Sequence, residues 1–449
     1  MKTEENISLK EKTKKLLKKN KKIDLSNVPK KWQEVYKLHQ SFYDDPILDK
    51  DEEENIKKGY KDGKQHYFDV KNMLNFNWNA KYYLAYSERS DGKSYSCLLL
   101  GLCYYFVFGN PIAYIRRYED EVIGSLGQKI FLNFLKYNKN GENVVSRLSN
   151  GEYNYIKYYG RSWYLAYYDE EQDKITRKSM EPFCYSFTLN NVEKAKSGGY
   201  PKIDIIFFDE FMSRRNEMID EWTEFSNTLS TILRKNNTDA KIFMMGNTVK
   251  LNSLYFQEMG IKRPNEIKKG DYRLYQYGES KNKEVLKVVV HRGGTDKKNR
   301  QAGLTDVYFA FDNPKMRMIT EGEFEIPNYP HLTKQYRYSD KEVVYRYFIN
   351  FRDFTAQCEV VKKNNVMFTF IYEKTKGEVK LKGREILFQE DYSPERNVRR
   401  CINNTYDKLG KKIYSFFVKD KVFYSNNTVG EYVKDYLNWC DTAKRQLRI

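Results

Sequence analysis

The sequence predicts an α/β protein: a parallel sheet with helices on both faces, followed by a smaller α+β domain. Three observations carry this. Between Tyr67 and about Val290, strand-like and helix-like segments alternate, as parallel strands joined by crossover helices require. The run Lys202–Phe208, KIDIIFF, is almost continuously apolar, the mark of a strand buried on both faces. After Tyr336 the pattern changes to the period-two alternation of YRYFINF and NVMFTFIYE, and the chain closes on a helix-like VGEYVKDYLNWCDTAKRQL.

At 449 residues the chain exceeds one ordinary core, so two or three domains are expected. The divisions read from composition are a basic N-terminal extension (1–66), the principal α/β domain (67–290), a linker (291–330) and the C-terminal α+β domain (331–449). The extension opens with KEKTKKLLKKNKK at residues 10–22, eight lysines against one glutamate, which reads as a solvated tail or a DNA-contacting arm. Trp32, Val35, Tyr36, Leu38, His39 and Phe42 then recur at helical spacing and predict a small docking helix. In the principal domain, 81–86 reads as a strand, 92–108 as a helix, 112–117 as a strand and 119–137 as a helix, together a βαβ unit. Asn150-Gly151 predicts a hairpin turn beside the tyrosine-rich EYNYIKYYGRSWYLAYYDEE at 152–171, a ribbon outside the parallel core. The buried strand 202–208 ends in Asp209-Glu210. A helix over about 217–234 follows, and then a strand, 240–245, ending in Gly246-Asn247. Polar residues thus fall at the carboxyl ends of strands, where open α/β sheets bind ligands. HRGGTDKKNRQAG, from His291, is glycine-rich and basic and reads as linker or exposed loop.

A formal charge of +18 points to a polyanionic partner, nucleic acid or an anionic membrane surface. The six cysteines form no C-x-x-C pair and the four histidines are isolated, so free thiols in a reducing compartment are expected and a structural zinc site is not. Residues 94–115 carry no charge, but Gly109-Asn110-Pro111 divides them into pieces each too short to cross a bilayer, leaving buried core as the reading.

Two segments carry the chemistry. In SERSDGKS (87–94), which follows an apolar strand, backbone N–H groups at a helix N-terminus surround phosphates, Gly92 supplies conformational freedom, Lys93 neutralises charge and the Ser94 hydroxyl ligates Mg²⁺. Ser87, Arg89, Asp91, Gly92, Lys93, Ser94 and Tyr95 are the expected nucleotide contacts. Ser87 stands where the usual pattern has its first glycine; serine fits provided that position needs no positive φ. In the second segment Asp209 holds the metal and Glu210 polarises a water for attack on the γ-phosphate. Arg116 and Arg117, at a strand end, either contact phosphate of ATP or DNA or pair with Glu119 and Asp120.

These residues, with FDVKNML (68–74), AYIRRY (113–118), AKSGGYPKIDIIFFDEF (195–211) and MMGNTV (244–249), resemble the DNA packaging ATPases of small short-tailed phages with protein-primed genomes. That family consists of P-loop motors of the additional-strand, catalytic-glutamate type. The resemblance implies ATP and Mg²⁺ as cofactors, and Lys93, Ser94, Asp209 and Glu210 as phosphate lysine, magnesium hydroxyl, metal carboxylate and catalytic glutamate. It makes Arg89 the basic residue of the loop, Arg234 (or its neighbour Lys235) an arginine finger supplied to the next subunit, Lys196 a second trans-acting cation and Asn247 a γ-phosphate sensor. It implies double-stranded DNA and the portal of a preformed capsid as partners, in the host cytoplasm, with a homo-oligomeric ring of five; whether a structural RNA takes part stays open. The C-terminal domain resembles a nuclease that has lost its metal carboxylates. Its strand 347–361 offers Asp353 and Glu359 without an acidic cluster, so it reads as a basic DNA-binding and docking module. Ser87, the basic extension and the longer tyrosine-rich insert depart from the family. The alternatives are a terminase large subunit with an active nuclease, and a non-hydrolysing DNA-binding scaffold with a decayed loop.

Overall fold

The computed structural model describes residues 24–57, 68–88, 91–191, 199–212, 218, 220–233, 239–249, 253–279, 285–294, 324, 326–352, 354–374, 379–403 and 408–446. The chain divides into two compact units, residues 1–249 with 263–323, and residues 250–262 with 324–449.

The first unit is built on a ten-stranded sheet. Its strands in chain order are β1 (Tyr82–Ser87), β2 (Ile112–Arg116), β3 (Tyr155–Tyr159), β4 (Ser162–Asp169), β5 (Lys174–Lys178), β6 (Cys184–Thr188), β7 (Ile205–Asp209), β8 (Lys241–Asn247), β9 (Tyr272–Glu279) and β10 (Val285–Arg292). In space they run β3-β4-β6-β2-β7-β8-β1-β10-β9, with β5 on β4, and the stretch from β6 to β10 is parallel throughout. One strand, β8, separates β1 from β7. This is the additional-strand arrangement, and it places the ends of β1 and β7 on the same edge of the sheet.

Alternation along β7 decides which helix covers which face. Phe207 packs on Phe243 and joins the core that contains the helix Lys93–Phe108, whereas Phe208 stacks on Phe225 of the helix Glu221–Ile232 at 5.3 Å. Successive strand side chains point to opposite faces, so these two helices lie on opposite sides of the sheet. The helix Lys93–Phe108 is buried around almost its whole circumference, which accounts for the absence of charge after Lys93. Among the described residues no helix is long and apolar enough to cross a membrane.

The helix expected near the N-terminus spans Gln33–Asp44 and buries Val35, Leu38, His39 and Phe42. Trp32 packs on Tyr104 at 5.1 Å and on Trp78 at 5.7 Å. Each such apolar side chain contributes roughly 1.5–3 kcal/mol on burial, so this stretch is part of the core of the first unit although it falls before residue 66. His39 binds the same helix by polar contact. Its Nε2 lies 3.1 Å from the Ser96 carbonyl, and Lys71 Nζ lies 2.9 Å from its Nδ1.

Three local expectations are corrected. Residues 119–137 do not form one helix but a 3-10 turn (Glu119–Glu121), a short helix (Gly124–Lys129) and another 3-10 turn (Leu132–Phe134); Gly124, with left-handed φ 55°, breaks the run, and the Gly127 carbonyl accepts from both Ile130 N–H at 3.3 Å and Trp163 Nε1 at 2.8 Å. Asn150-Gly151 ends the helix Val144–Ser149, with φ of 53° and 81°, and Gly151 N–H donates to the Ser146 carbonyl; the hairpin between β3 and β4 turns instead at Gly160-Arg161. A helix C-cap and a tight hairpin both require left-handed residues, so the dipeptide fits either. The ribbon β3-β4-β5 stays outside the parallel core, as expected, and adds to the edge of the sheet through antiparallel pairing of β4 with β6. Finally, β10 pairs in parallel with β1 and runs to Arg292, so the sheet extends past residue 290 into the stretch read as linker.

The second unit carries a six-stranded sheet, β15-β14-β11-β12-β13-β16, from β11 (Val343–Phe351), β12 (Phe354–Lys363), β13 (Val366–Glu373), β14 (Ile386–Gln389), β15 (Val398–Arg399) and β16 (Val422–Tyr424). The stretch 347–361 is therefore a hairpin rather than one strand, turning at Arg352 with φ 61°. The helix Asn427–Gln446 packs on it, Tyr432 stacking on Phe354 at 4.4 Å.

Candidate functional site

Residues at the carboxyl ends of β1, β7, β8 and β2 meet at one edge of the sheet. Ser87 is the last residue of β1 and pairs across the sheet with Asn247, the last residue of β8. It is not among the residues with positive φ, so the conformation that would demand glycine is absent at this position. Gly92 does adopt it, with φ 81°, at the start of the helix Lys93–Phe108.

The Ser87 hydroxyl has a use of its own. Lys93 Nζ donates to Ser87 Oγ at 2.6 Å and to the Glu88 carbonyl at 2.8 Å, while Ser87 Oγ donates to Asp91 Oδ2 at 2.6 Å. Serine thus links the ammonium of the loop to a loop carboxylate. Lys93 is almost wholly buried, and burial pushes its pKa down against the pull of Asp91, Glu88 and Asp209.

Opposite the loop, Ser94 Oγ donates to Asp209 Oδ1 at 2.9 Å and Tyr114 Oη donates to Asp209 Oδ2 at 2.9 Å. Arg116, at the end of β2, reaches both acids: Nη1 lies 3.5 Å from Asp209 Oδ2 and Nη2 donates to Glu210 Oε2 at 3.1 Å. Glu210 is half-exposed and has left-handed backbone, φ 57°. Arg117, the next residue, is buried and pairs with Glu221. Neither arginine pairs as the sequence suggested; Glu119 is bonded by Arg161 instead.

A hydroxyl and a carboxylate that already meet at 2.9 Å are hard oxygen donors suited to a magnesium ion, and an ammonium beside a left-handed loop glycine is suited to a phosphate. The donor set fits both groups.

Two features of the site had no assignment in the sequence. Tyr114 reaches Asp209 because β2 and β7 are neighbours, and its phenol is held protonated by burial and by that carboxylate. Gly293 and Gly294 lie against the loop: Gly293 N–H donates to the Tyr86 carbonyl at 2.9 Å, and a β-carbon at Gly294 would come 2.8 Å from Glu88 Oε2. Two glycines directly after the strand VLKVVVHR were the available signal. Glu88 Oε2 and Thr248 Oγ1 are buried there with no hydrogen-bond partner among the described residues.

Tyr95 sits one turn into the helix, stacked on Phe134 at 4.7 Å. Arg89, Lys196, Arg234 and Lys235 lie outside the described residues. In the second unit Asp353 does too, and Glu359 is buried and accepts from Tyr338, Arg346, Gln357 and Tyr372 at 2.7, 2.9, 3.0 and 3.1 Å. That carboxylate is committed to its neighbours.

No protein-family description and no curated protein matches this sequence. Among solved structures the chain is similar to the Phi-28 gp11 DNA packaging motor, at 14% identity and a TM-score of 0.44 over 83% of this chain and 96% of that one. It is similar to the packaging motor assembly of bacteriophage Phi-29, at 16% and 0.46 over 86% and 99%. A third likeness is to the large terminase ATPase domain of Thermus phage P74-26, at 15% and 0.31 over 55% and 89%. At these identities and scores the functional reading rests on the residues themselves.

Proposed function

We propose that this chain is an ATP-driven translocase that packages double-stranded DNA into a preformed viral capsid, working as a homo-oligomeric ring at the portal. The observation that carries the ATPase reading is the contact of Ser94 Oγ with Asp209 Oδ1, made between residues 115 positions apart, with Lys93 and Glu210 on either side of it. The DNA reading is supported by the charge of +18 and by the motif resemblance.

In this reading Lys93 leaves Ser87 Oγ and the Glu88 carbonyl for oxygens of the β- and γ-phosphates. Ser94 and Asp209 would hold Mg²⁺, which when bound offsets negative charge on the phosphate oxygens. Glu210 accepts a proton from a water as the water oxygen bonds to the γ-phosphorus and the bond to the ADP oxygen breaks, so phosphate and ADP leave. Arg116 holds Glu210 by its carboxylate, and the base works once that contact yields. Asn247, in register with Ser87, is assigned to sense the γ-phosphate. We further assign Arg234, with Lys235 as the alternative, and Lys196 as cations supplied to the neighbouring subunit's nucleotide, and Arg89 to the phosphates of its own. The second unit is assigned to DNA binding and docking.

The test is phosphate release at low salt with and without double-stranded DNA. Turnover that rises with DNA and falls steeply with salt is expected, since phosphate contacts release counterions. No turnover under either condition would leave only the non-hydrolysing scaffold. Metal-dependent cutting of the DNA would favour the terminase reading instead.

Asp91 makes a second prediction. Its carboxylate lies within a loop assigned to phosphates, where a like charge opposes binding. Asparagine keeps an acceptor for Ser87 Oγ and removes the charge. Asp91→Asn is expected to tighten ATP binding roughly fivefold, about 1 kcal/mol, a modest share of the interaction of two charges near a protein surface. Titration with a fluorescent ATP analogue measures it; unchanged binding would place Asp91 away from the phosphates, and weaker binding would mean that its charge supports the site through Ser87 Oγ and Lys93.

A further inference from the structure

A further charged contact at this edge of the sheet involves neither the phosphate loop nor Asp209. Arg117 Nε donates to both carboxylate oxygens of Glu221 at 3.0 Å, and Nη2 donates to Oε1 at 2.8 Å. The same guanidinium reaches the backbone beside the catalytic acid: Nη1 donates to the Glu210 carbonyl at 3.2 Å and Nη2 to the Phe211 carbonyl at 2.9 Å. Arg117 is 4% exposed and Glu221 is 1% exposed. Glu221 is also fixed from its own side, accepting from Met218 N–H at 2.9 Å at the start of the helix Glu221–Ile232.

These contacts converge on a backbone in a disfavoured conformation. Glu210 has φ 57°, a conformation that side-chain-bearing L-residues disfavour. Its carbonyl and the next one are both turned onto Arg117. The planar fork of an arginine can serve two carbonyls and a carboxylate together, as a lysine ammonium cannot.

We propose that the Arg117–Glu221 pair is a positioning device for Glu210, holding the left-handed turn that aims its carboxylate and tying that turn to the helix that leads toward Arg234. This rests on the reading of Glu210 as the catalytic base. Arg117 touches no reacting atom; it acts through Glu210. A buried ion pair is in itself weak evidence for stability, so a purely structural role and a positioning role must be separated by what each moves.

The experiment uses the full chain carrying Arg117→Lys or Glu221→Gln, each alone and combined with Glu210→Gln, and reads kcat, affinity for a fluorescent ATP analogue and Tm. A displaced catalytic group costs about 10- to 100-fold in rate, so each single variant should lose that much kcat while its nucleotide affinity stays within about twofold of wild type. In the Glu210→Gln background neither substitution should lower the residual rate further, because residues that act as a unit are not additive. Unchanged kcat in the single variants, a further multiplicative loss in the double variants, or loss of nucleotide binding in step with Tm would each overturn the proposal. Wild-type turnover by Glu210→Gln alone overturns the Glu210 assignment and this proposal with it, and that result is visible in the single variant before any double is made.

Discussion

Glu210→Gln is expected to bind ATP with near wild-type affinity and to lose turnover by about 10²- to 10⁴-fold, the range that a positioned general base contributes. The substitution is nearly isosteric and keeps an oxygen for Arg116 Nη2, which donates to Glu210 Oε2 at 3.1 Å. What disappears is the capacity to take a proton from water. Ser94, Asp209 and Lys93 are untouched, so the groups assigned to the phosphates and their metal remain in place. Equilibrium binding of a fluorescent ATP analogue and phosphate release under single-turnover conditions separate the two quantities. Turnover at the wild-type rate would mean that another group activates the water, and a parallel loss of affinity would mean that the carboxylate holds the nucleotide rather than serving the reaction.

Such a variant could be named from the sequence because Asp209-Glu210 ends an apolar run, and a run of that kind has few places to be other than the centre of a parallel sheet. Ser87–Ser94 was legible for the same reason, as a loop between an apolar strand and an uncharged helix. What local pattern could not supply was strand order. Tyr114 and Arg116 reach Asp209, and Arg117 reaches Glu221, only because β2 lies beside β7, and nothing in residues 112–117 encodes the identity of their neighbour. Of the two readings for Arg116 and Arg117, pairing with Glu119 and Asp120 gave way to Glu210 and Glu221, about a hundred positions away, with Glu121 as a local partner of Arg116. Residues 119–137 misled in a different way. Their apolar spacing is helical, but Gly124 and Gly127 interrupt it, and Gly124 takes a left-handed φ of 55° that a continuous helix does not allow. Gly293-Gly294 looked like linker because glycine pairs usually are; here they bring backbone close to the phosphate loop.

Lys93→Ala should fail at the step that Glu210→Gln passes. The side chain is buried and spends its donors on Ser87 Oγ and the Glu88 carbonyl, contacts that a phosphate oxygen can replace without moving the backbone. Charge-assisted hydrogen bonds of this kind are worth about 1.5–3 kcal/mol each, so ATP affinity is expected to fall about 10- to 100-fold, with no turnover detected at nucleotide concentrations that saturate the wild type. Loss of folding would give the same readings, and Lys93→Met separates the two. Burial already pushes the Lys93 pKa down, which means that the ammonium sits there at a desolvation cost that an apolar side chain of similar length does not carry. The methionine variant should therefore melt close to the wild-type temperature and still fail to bind. If it binds ATP normally, Lys93 does not face the phosphates, and the contact between Ser94 and Asp209 describes a strand-end hydrogen bond with no nucleotide to serve.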